Sequence, residues 1–187
     1  MPLHRPQRYM DRGAVTVVDK PIRLFGKVKE SIVDGPGFRY VIFVQGCPHG
    51  CKGCHNPGSH DVNGGTLSST AELWREISAM PHISGVTFSG GEPFLWAGPL
   101  AEIGKAARER GLNVMTYSGY TYEHLLKLAD DDNDIRALLT VTNYLVDGPF
   151  ILAERDITLP YRGSRNQRIL DITCYPNSTS AVMADFA

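Results

Sequence analysis

The sequence has no surplus of charge: 19 Lys and Arg stand against 20 Asp and Glu, a formal net charge of -1. That balance offers little to attract a phosphate backbone or an anionic lipid surface, so neither nucleic acid nor membrane is expected as a partner. Long apolar runs are missing too. The longest, such as VIFV at Val41–Val44, fall far short of the ~20 residues that cross a bilayer, and no stretch has the form of a secretion signal. A soluble, cytoplasmic protein is expected. Cysteine is scarce, with four in 187 residues, and their placement is not the even spread of a secreted disulfide scaffold.

What cysteine there is lies mostly in one place. Cys47, Cys51 and Cys54 fall within eight residues, while Cys174 stands alone. In a cytosolic chain such a cluster reads as a metal or redox site, and Cys174 as a free thiol. The length suits one domain with a sizeable core. Its expected limits are 21–173, between an N-terminal arm over 1–20 and a C-terminal tail over 174–187.

Strand character is found at 22–30, 39–45, 85–89, 112–117, 143–146 and 168–172. Arg39–Gln45 is a nearly continuous apolar run, as a strand covered on both faces tends to be. Helices are expected from Ser69, where Ser69 and Glu72 fit a capping box, over Pro99–Arg110 with Gly111 as its stop, over 121–128, and briefly over 135–139. Leu73, Trp74 and Ile77 would face the core. Asp130–Asp134 reads as an acidic, solvated loop. Strands separated by helices indicate an α/β fold with a mostly parallel sheet and outer helices.

The cysteine loop, FVQGCPHGCKGCHNPGSHD, has the spacing Cys-x3-Cys-x2-Cys directly after an apolar strand. Three thiolates so close in sequence can converge on one small object, and thiolate suits iron-sulfur clusters or zinc. Gly46, Gly50 and Gly53 permit tight turns beside the sulfurs. Closed zinc sites take four ligands, with His49, His55 or His60 available locally, and a non-enzymatic zinc or electron-transfer module is the corresponding alternative. A 4Fe-4S cluster on three cysteines would instead leave one iron open to a small molecule. Ser89-Gly90-Gly91-Glu92 at a strand end adds backbone that a ligand can approach, and a carboxylate that can accept from an amino group.

The cysteine motif followed by that GGE segment resembles the radical S-adenosylmethionine superfamily. The ordered set SIVDGPGFRYVIFVQGCPHGCKGCHNP, TFSGGEPF, MTYSGY, LVDGPF and YRGSRNQR resembles, from about Ile22 to Ile172, the activating proteins of anaerobic ribonucleotide reductases. Many superfamily members carry an aromatic residue just before the third cysteine; this chain has Gly53, as activators of the anaerobic reductases often do.

The resemblance implies a partial (β/α) barrel in which Cys47, Cys51 and Cys54 bind one 4Fe-4S cluster and its fourth iron binds S-adenosyl-L-methionine. It implies reductive cleavage to a 5'-deoxyadenosyl radical, fed by flavodoxin or ferredoxin. That radical would make a glycyl radical on an anaerobic ribonucleoside-triphosphate reductase, or, alternatively, on pyruvate formate-lyase or a related enzyme. Gly53, Cys54 and His55 would neighbour the adenosine, and Ser89–Glu92 the amino end. Thr116, Tyr117 or Ser118 would face the ribose or carboxylate, and Asp147 would help bind the same ligand. The Asp34–Gly37 turn is expected to shape the entrance to the strand before the cluster. Arg162–Arg168 is a further candidate, for docking a protein substrate.

Overall fold

The computed structural model describes residues 15–184 and Phe186. A single eight-stranded sheet organises it, built from β1 Pro21–Ser31, β2 Arg39–Val44, β3 Thr66–Ser69, β4 Gly85–Gly90, β5 Asn113–Tyr117, β6 Tyr144–Asp147, β7 Arg168–Asp171 and β8 Val182–Met183. Their spatial order is β3-β1-β2-β4-β5-β6-β7-β8. Four helices accompany them: α1 Thr70–Ser78, α2 Ala97–Glu109, α3 Tyr122–Asp131 and α4 Asn133–Val141.

The α/β class holds, but the sheet is not mostly parallel. Parallel pairing is confined to β2-β4-β5-β6, while β1 with β2, β1 with β3, β6 with β7 and β7 with β8 are antiparallel. The connections explain this. A parallel neighbour needs a crossover, usually through a helix. The turn between β1 and β2 is too short for one, and the excursion between β6 and β7 carries only a 3-10 turn at Leu152–Glu154. β3 and β8 escape sequence reading because they are short, edge-lying and largely exposed, with no apolar alternation.

Side-chain alternation divides the sheet into two faces. Tyr40, Ile42, Val44, Val86, Phe88, Val114 and Leu145 join Leu73, Trp74 and Ile77 of α1 and the apolar sides of α2–α4 in the main core. On the other face Met115, Val146 and Ile169 form a smaller cluster with Tyr117, Tyr144, Tyr161 and Phe186 packed on it. Arg39 also lies on that face and is fully buried. Its guanidinium donates to Thr87 Oγ1 (2.5 Å), the Val86 carbonyl (2.6 Å), Asn113 Oδ1 (2.7 Å) and the Pro36 carbonyl (3.0 Å). Burial lowers its pKa to about 10. This arginine binds the Asp34–Gly37 turn to the sheet.

Ser69 caps α1 as the sequence indicates, accepting from the Glu72 N–H, and Gly111 ends α2 with φ of 77°. The aspartate run, expected as a loop, is a helix junction. Asp130 and Asp131 belong to α3, and Asp132 caps α4 by accepting from the N–H groups of Asp134 (2.8 Å) and Ile135 (3.2 Å). An N-cap carboxylate satisfies orphan donors and favours the positive helix end, so the acidic residues support two helices.

Of the expected arm, residues 1–14 lie outside the described residues. Residues 15–20 run along α1, where Trp74 Nε1 donates to the Val15 carbonyl (2.8 Å) and Thr70 Oγ1 to that of Val18 (2.7 Å). The tail contributes β8 and rests Phe186 against Tyr144 and Tyr161. No helix among the described residues is long and apolar enough to cross a membrane.

Candidate functional site

The four parallel strands end side by side, and the turn leaving each one carries part of a single site. β2 feeds the cysteine loop, β4 the Gly90–Glu92 turn, β5 Ser118–Tyr120 and β6 Gly148–Phe150. Ligand sites collect at the carboxyl ends of parallel strands because successive turns converge there. Between these turns lies an open cavity of about 500 Å³. The three clustered thiols line it together with Ser89, Gly90, Gly91 and Ser118.

Close backbone contact sets the cysteine loop against the β4 turn. Gly91 N–H donates to the Val44 carbonyl (2.8 Å) and Glu92 N–H to that of Gly46 (2.8 Å). A Cβ on Gly91 would overlap the Gly46 carbonyl, and Gly90 has φ of 100° with no room for a Cβ against the Phe43–Val44 peptide. Both glycines therefore let two backbone segments approach each other. The loop's stem is closed by Gly46 N–H to the Ser59 carbonyl (2.7 Å) and Cys47 N–H to that of His60 (3.2 Å).

Around the sulfurs the backbone supplies donors. Asn56 N–H points at Cys54 Sγ (3.4 Å), and the N–H groups of His49 and Gly50 at Cys47. Burial raises the Cys47 pKa, those donors act against the rise, and Glu92 adds to it. Among the described residues no three His, Cys, Asp or Glu side chains converge on a single ion. Cys47, Cys51 and Cys54 line one cavity, and three soft thiolates in one wall fit a 4Fe-4S cluster. Two buried atoms of wall residues, His60 Nε2 and Arg162 Nε, have no hydrogen-bond partner in the protein, as expected of a wall completed by a bound group.

Other expected residues occupy more varied positions. Gly53 lies against Leu152, and His55 lines the cavity with its ring 5.1 Å from that of Phe150. Glu92 is fully buried beneath the cavity wall. It accepts from Phe94 N–H (3.0 Å), Gly119 N–H (2.9 Å), Ser118 Oγ (3.1 Å) and His49 Nε2 (2.7 Å). Thr116 faces away, bonded to Thr142 in the core, whereas Tyr117 reaches the cavity with its hydroxyl on the Tyr161 carbonyl (2.7 Å). Asp147 is 1% exposed and bound by Arg168 and the Tyr122 N–H, outside the cavity lining.

Within Arg162–Arg168, Arg162, Gly163 and Gln167 line the cavity, and Arg168 serves Asp147. Val33 and Asp34, at the turn that leads into β2, also line the cavity. Tyr161 was not legible as a site residue. It holds φ of 54°, unusual for a side-chain-bearing residue, and its ring sits between Phe186 and the cavity. The sequence suggests His49 only as a zinc ligand, and its place at the centre of Cys-x3-Cys is the available signal.

The model of the family described as "4Fe-4S single cluster domain" matches residues 33–170, most of the chain and all of the cavity-forming turns. The chain belongs to this family. Relatives agree. The anaerobic ribonucleoside-triphosphate reductase-activating protein of Vibrio cholerae is 35% identical over 74% of this chain and 90% of its own length, and that of Haemophilus influenzae 32% identical over 74% and 90%. The pyruvate formate-lyase-activating enzyme of Clostridium pasteurianum is 39% identical over 53% of this chain and 45% of that enzyme. Membership brings one 4Fe-4S cluster as cofactor, which the three clustered cysteines fit, and S-adenosyl-L-methionine as the ligand expected of the family. The protein is an enzyme of the radical S-adenosylmethionine type.

Proposed function

We propose that this protein activates an anaerobic ribonucleoside-triphosphate reductase by generating a glycyl radical on it. The observation that carries the reading is the gathering of Cys47, Cys51 and Cys54 with Ser89–Gly91 and Ser118 around one open cavity at four parallel strand ends. That arrangement also supports a partial (β/α) barrel around the site. When bound, the cluster supplies one electron, from reduced flavodoxin or ferredoxin, that cleaves S-adenosyl-L-methionine to methionine and a 5'-deoxyadenosyl radical able to take hydrogen from a glycine α-carbon.

The chain's own residues bind, orient and shield. The three thiolates of Cys47, Cys51 and Cys54 would hold the cluster, with one iron left for the ligand. Gly53, Cys54 and His55 border the adenosine, and the Ser89–Gly91 backbone borders the amino end. Ser118 and Tyr117 flank the opposite side. Asp147 holds Arg168 and the first turn of α3, and through them the end of β6. Phe150 and Tyr161 exclude water from the cavity's apolar side. The reductase is preferred over pyruvate formate-lyase as target because the chain spans 90% of the reductase activators and 45% of the lyase activator.

Anaerobic reconstitution with iron and sulfide tests the chemistry. A four-iron spectrum whose reduced EPR signal changes on adding S-adenosyl-L-methionine, with methionine release under dithionite, is expected. Tightly held zinc with no methionine release would overturn the reading, as would full methionine release by Cys51→Ala. Mixing with purified reductase or lyase then identifies the target, by which of them gains a glycyl radical.

A further inference from the structure

The middle of the cysteine loop has few ties to the rest of the fold. Its stem is bonded at Gly46 and Cys47, and its far turn closes by Cys54 N–H to the Cys51 carbonyl (3.1 Å). Pro48–Gly50, which sets the separation between the first two thiols, has no backbone hydrogen bond to another segment among the described residues. Among the described residues, the one side chain across Pro48–Gly53 with a hydrogen bond is that of His49, whose Nε2 lies 2.7 Å from Glu92 Oε2.

We propose that His49, resting on Glu92, is the positioning residue that fixes the spacing of Cys47 and Cys51 for the cluster. The inference depends on the reading that these cysteines hold a cluster, and it adds a residue that the cysteine and GGE motifs do not include.

Three observations carry it. First, Glu92 is immobile: it is 0% exposed, and its remaining acceptor sites are taken by Phe94 N–H, Gly119 N–H and Ser118 Oγ. A carboxylate offers about four lone-pair sites, so these donors and His49 fill it. Second, the His49 ring is confined. It meets Tyr120 edge to face at 4.5 Å between centroids and lies against Gly119, where a Cβ would overlap it. Third, its side chain is 15% exposed and lines the cavity, so His49 spans from the cluster wall to the buried carboxylate. One chain of contacts therefore runs from the Cys47–Cys51 span through His49 to Glu92, and from there to the ends of β4 and β5. Ligands held from behind in this way bind metal more persistently, because the loop does not have to be ordered again each time one thiolate lets go.

The test uses the full chain, reconstituted anaerobically without S-adenosyl-L-methionine, and follows the rate at which a chelator removes iron. His49→Ala should lose iron about tenfold faster than the wild type. His49→Gln, whose amide N–H can reach Glu92, should recover most of that loss, and His49→Asn, too short to reach, should not. Combining His49→Ala with Glu92→Gln should add little beyond the larger single effect, since both break one link. Iron loss from His49→Ala at the wild-type rate overturns the proposal, and so does equal loss from the Gln and Asn variants. Should His49→Ala fail to fold, the Gln and Asn pair decides. A wild type that takes up no four-iron cluster would instead refute the underlying reading.

Discussion

The guanidinium of Arg168 grips the carboxylate of Asp147, Nε to Oδ1 at 3.0 Å and Nη2 to Oδ2 at 2.5 Å, while Tyr122 N–H donates to Oδ2 at 2.7 Å. Asp147 is buried at the end of β6, so this pair holds β7, β6 and the start of α3 together. Arg168→Ala leaves that carboxylate with one donor. The expected loss is about 2 kcal/mol, less than the roughly 3–5 of a fully buried pair, because the Arg168 side chain is 36% exposed and water screens it. Urea unfolding of the apoprotein measures it.

Gly91→Ala should damage stability and cluster binding together. The added methyl has nowhere to go but into the Gly46 carbonyl, one residue before the first cysteine. An overpacked contact of backbone on backbone costs about 1–3 kcal/mol, and relief by moving the loop would displace Cys47. Thermal unfolding and iron content after reconstitution should both fall, whereas Gly111→Ala, with open space around it, should leave iron content unchanged.

Stability should decline in acid through Glu76. Its carboxylate accepts from Lys27 (2.5 Å) and from the Tyr40 hydroxyl (2.9 Å), and lies 3.3 Å from Lys29. The Lys27 hydrogen bond is the largest cause holding its pKa below the ordinary 4.5. A carboxyl with a depressed folded pKa stabilises the fold fully above its unfolded value, and that contribution is lost as pH falls through the folded value. Glu76→Gln should therefore be less stable at pH 7 and show a shallower decline below about pH 4.5, read from unfolding midpoints across pH.

Cys174 is exposed and remote in sequence from the clustered thiols. Cys174→Ser should keep the wild-type iron-to-protein ratio, while Cys47→Ser, Cys51→Ser and Cys54→Ser should each lose cluster. Equal loss from Cys174→Ser would add a fourth ligand and close the iron left open for S-adenosyl-L-methionine.

Much of the fold was legible locally. β2 is a nearly continuous apolar run, α1 opens on a capping serine, and α2 stops at a glycine with positive φ. Local chemistry misled at the aspartate run, because the same side chains that favour solvent also cap helices, and the choice depends on whether Ile135, Leu138 and Leu139 find a core. The GGE segment, expected from its sequence to meet a ligand, puts Gly90 and Gly91 on the cavity wall and Glu92 beneath it. Its glycines serve loop-to-loop packing, and Glu92 is enclosed by four protein donors, which no pattern in one dimension can display.

By itself the sequence determined the ligand chemistry: thiolate is soft, three cysteines at this spacing can reach one object, and three leave a four-iron cluster open. It also determined the strands β2, β4, β5 and β6, which carry their apolar residues in order, though not the short edge strands β3 and β8. Tertiary structure alone decided strand direction and site membership. The antiparallel flanks follow from connections that contain no crossover helix. Whether Tyr161, Arg162 or His49 touches the cavity depends on contacts between segments tens of residues apart, such as Tyr117 with Tyr161 and His49 with Glu92. Spacing can specify which side chains are able to meet, but only the assembled sheet brings the four strand ends together and determines which of them do.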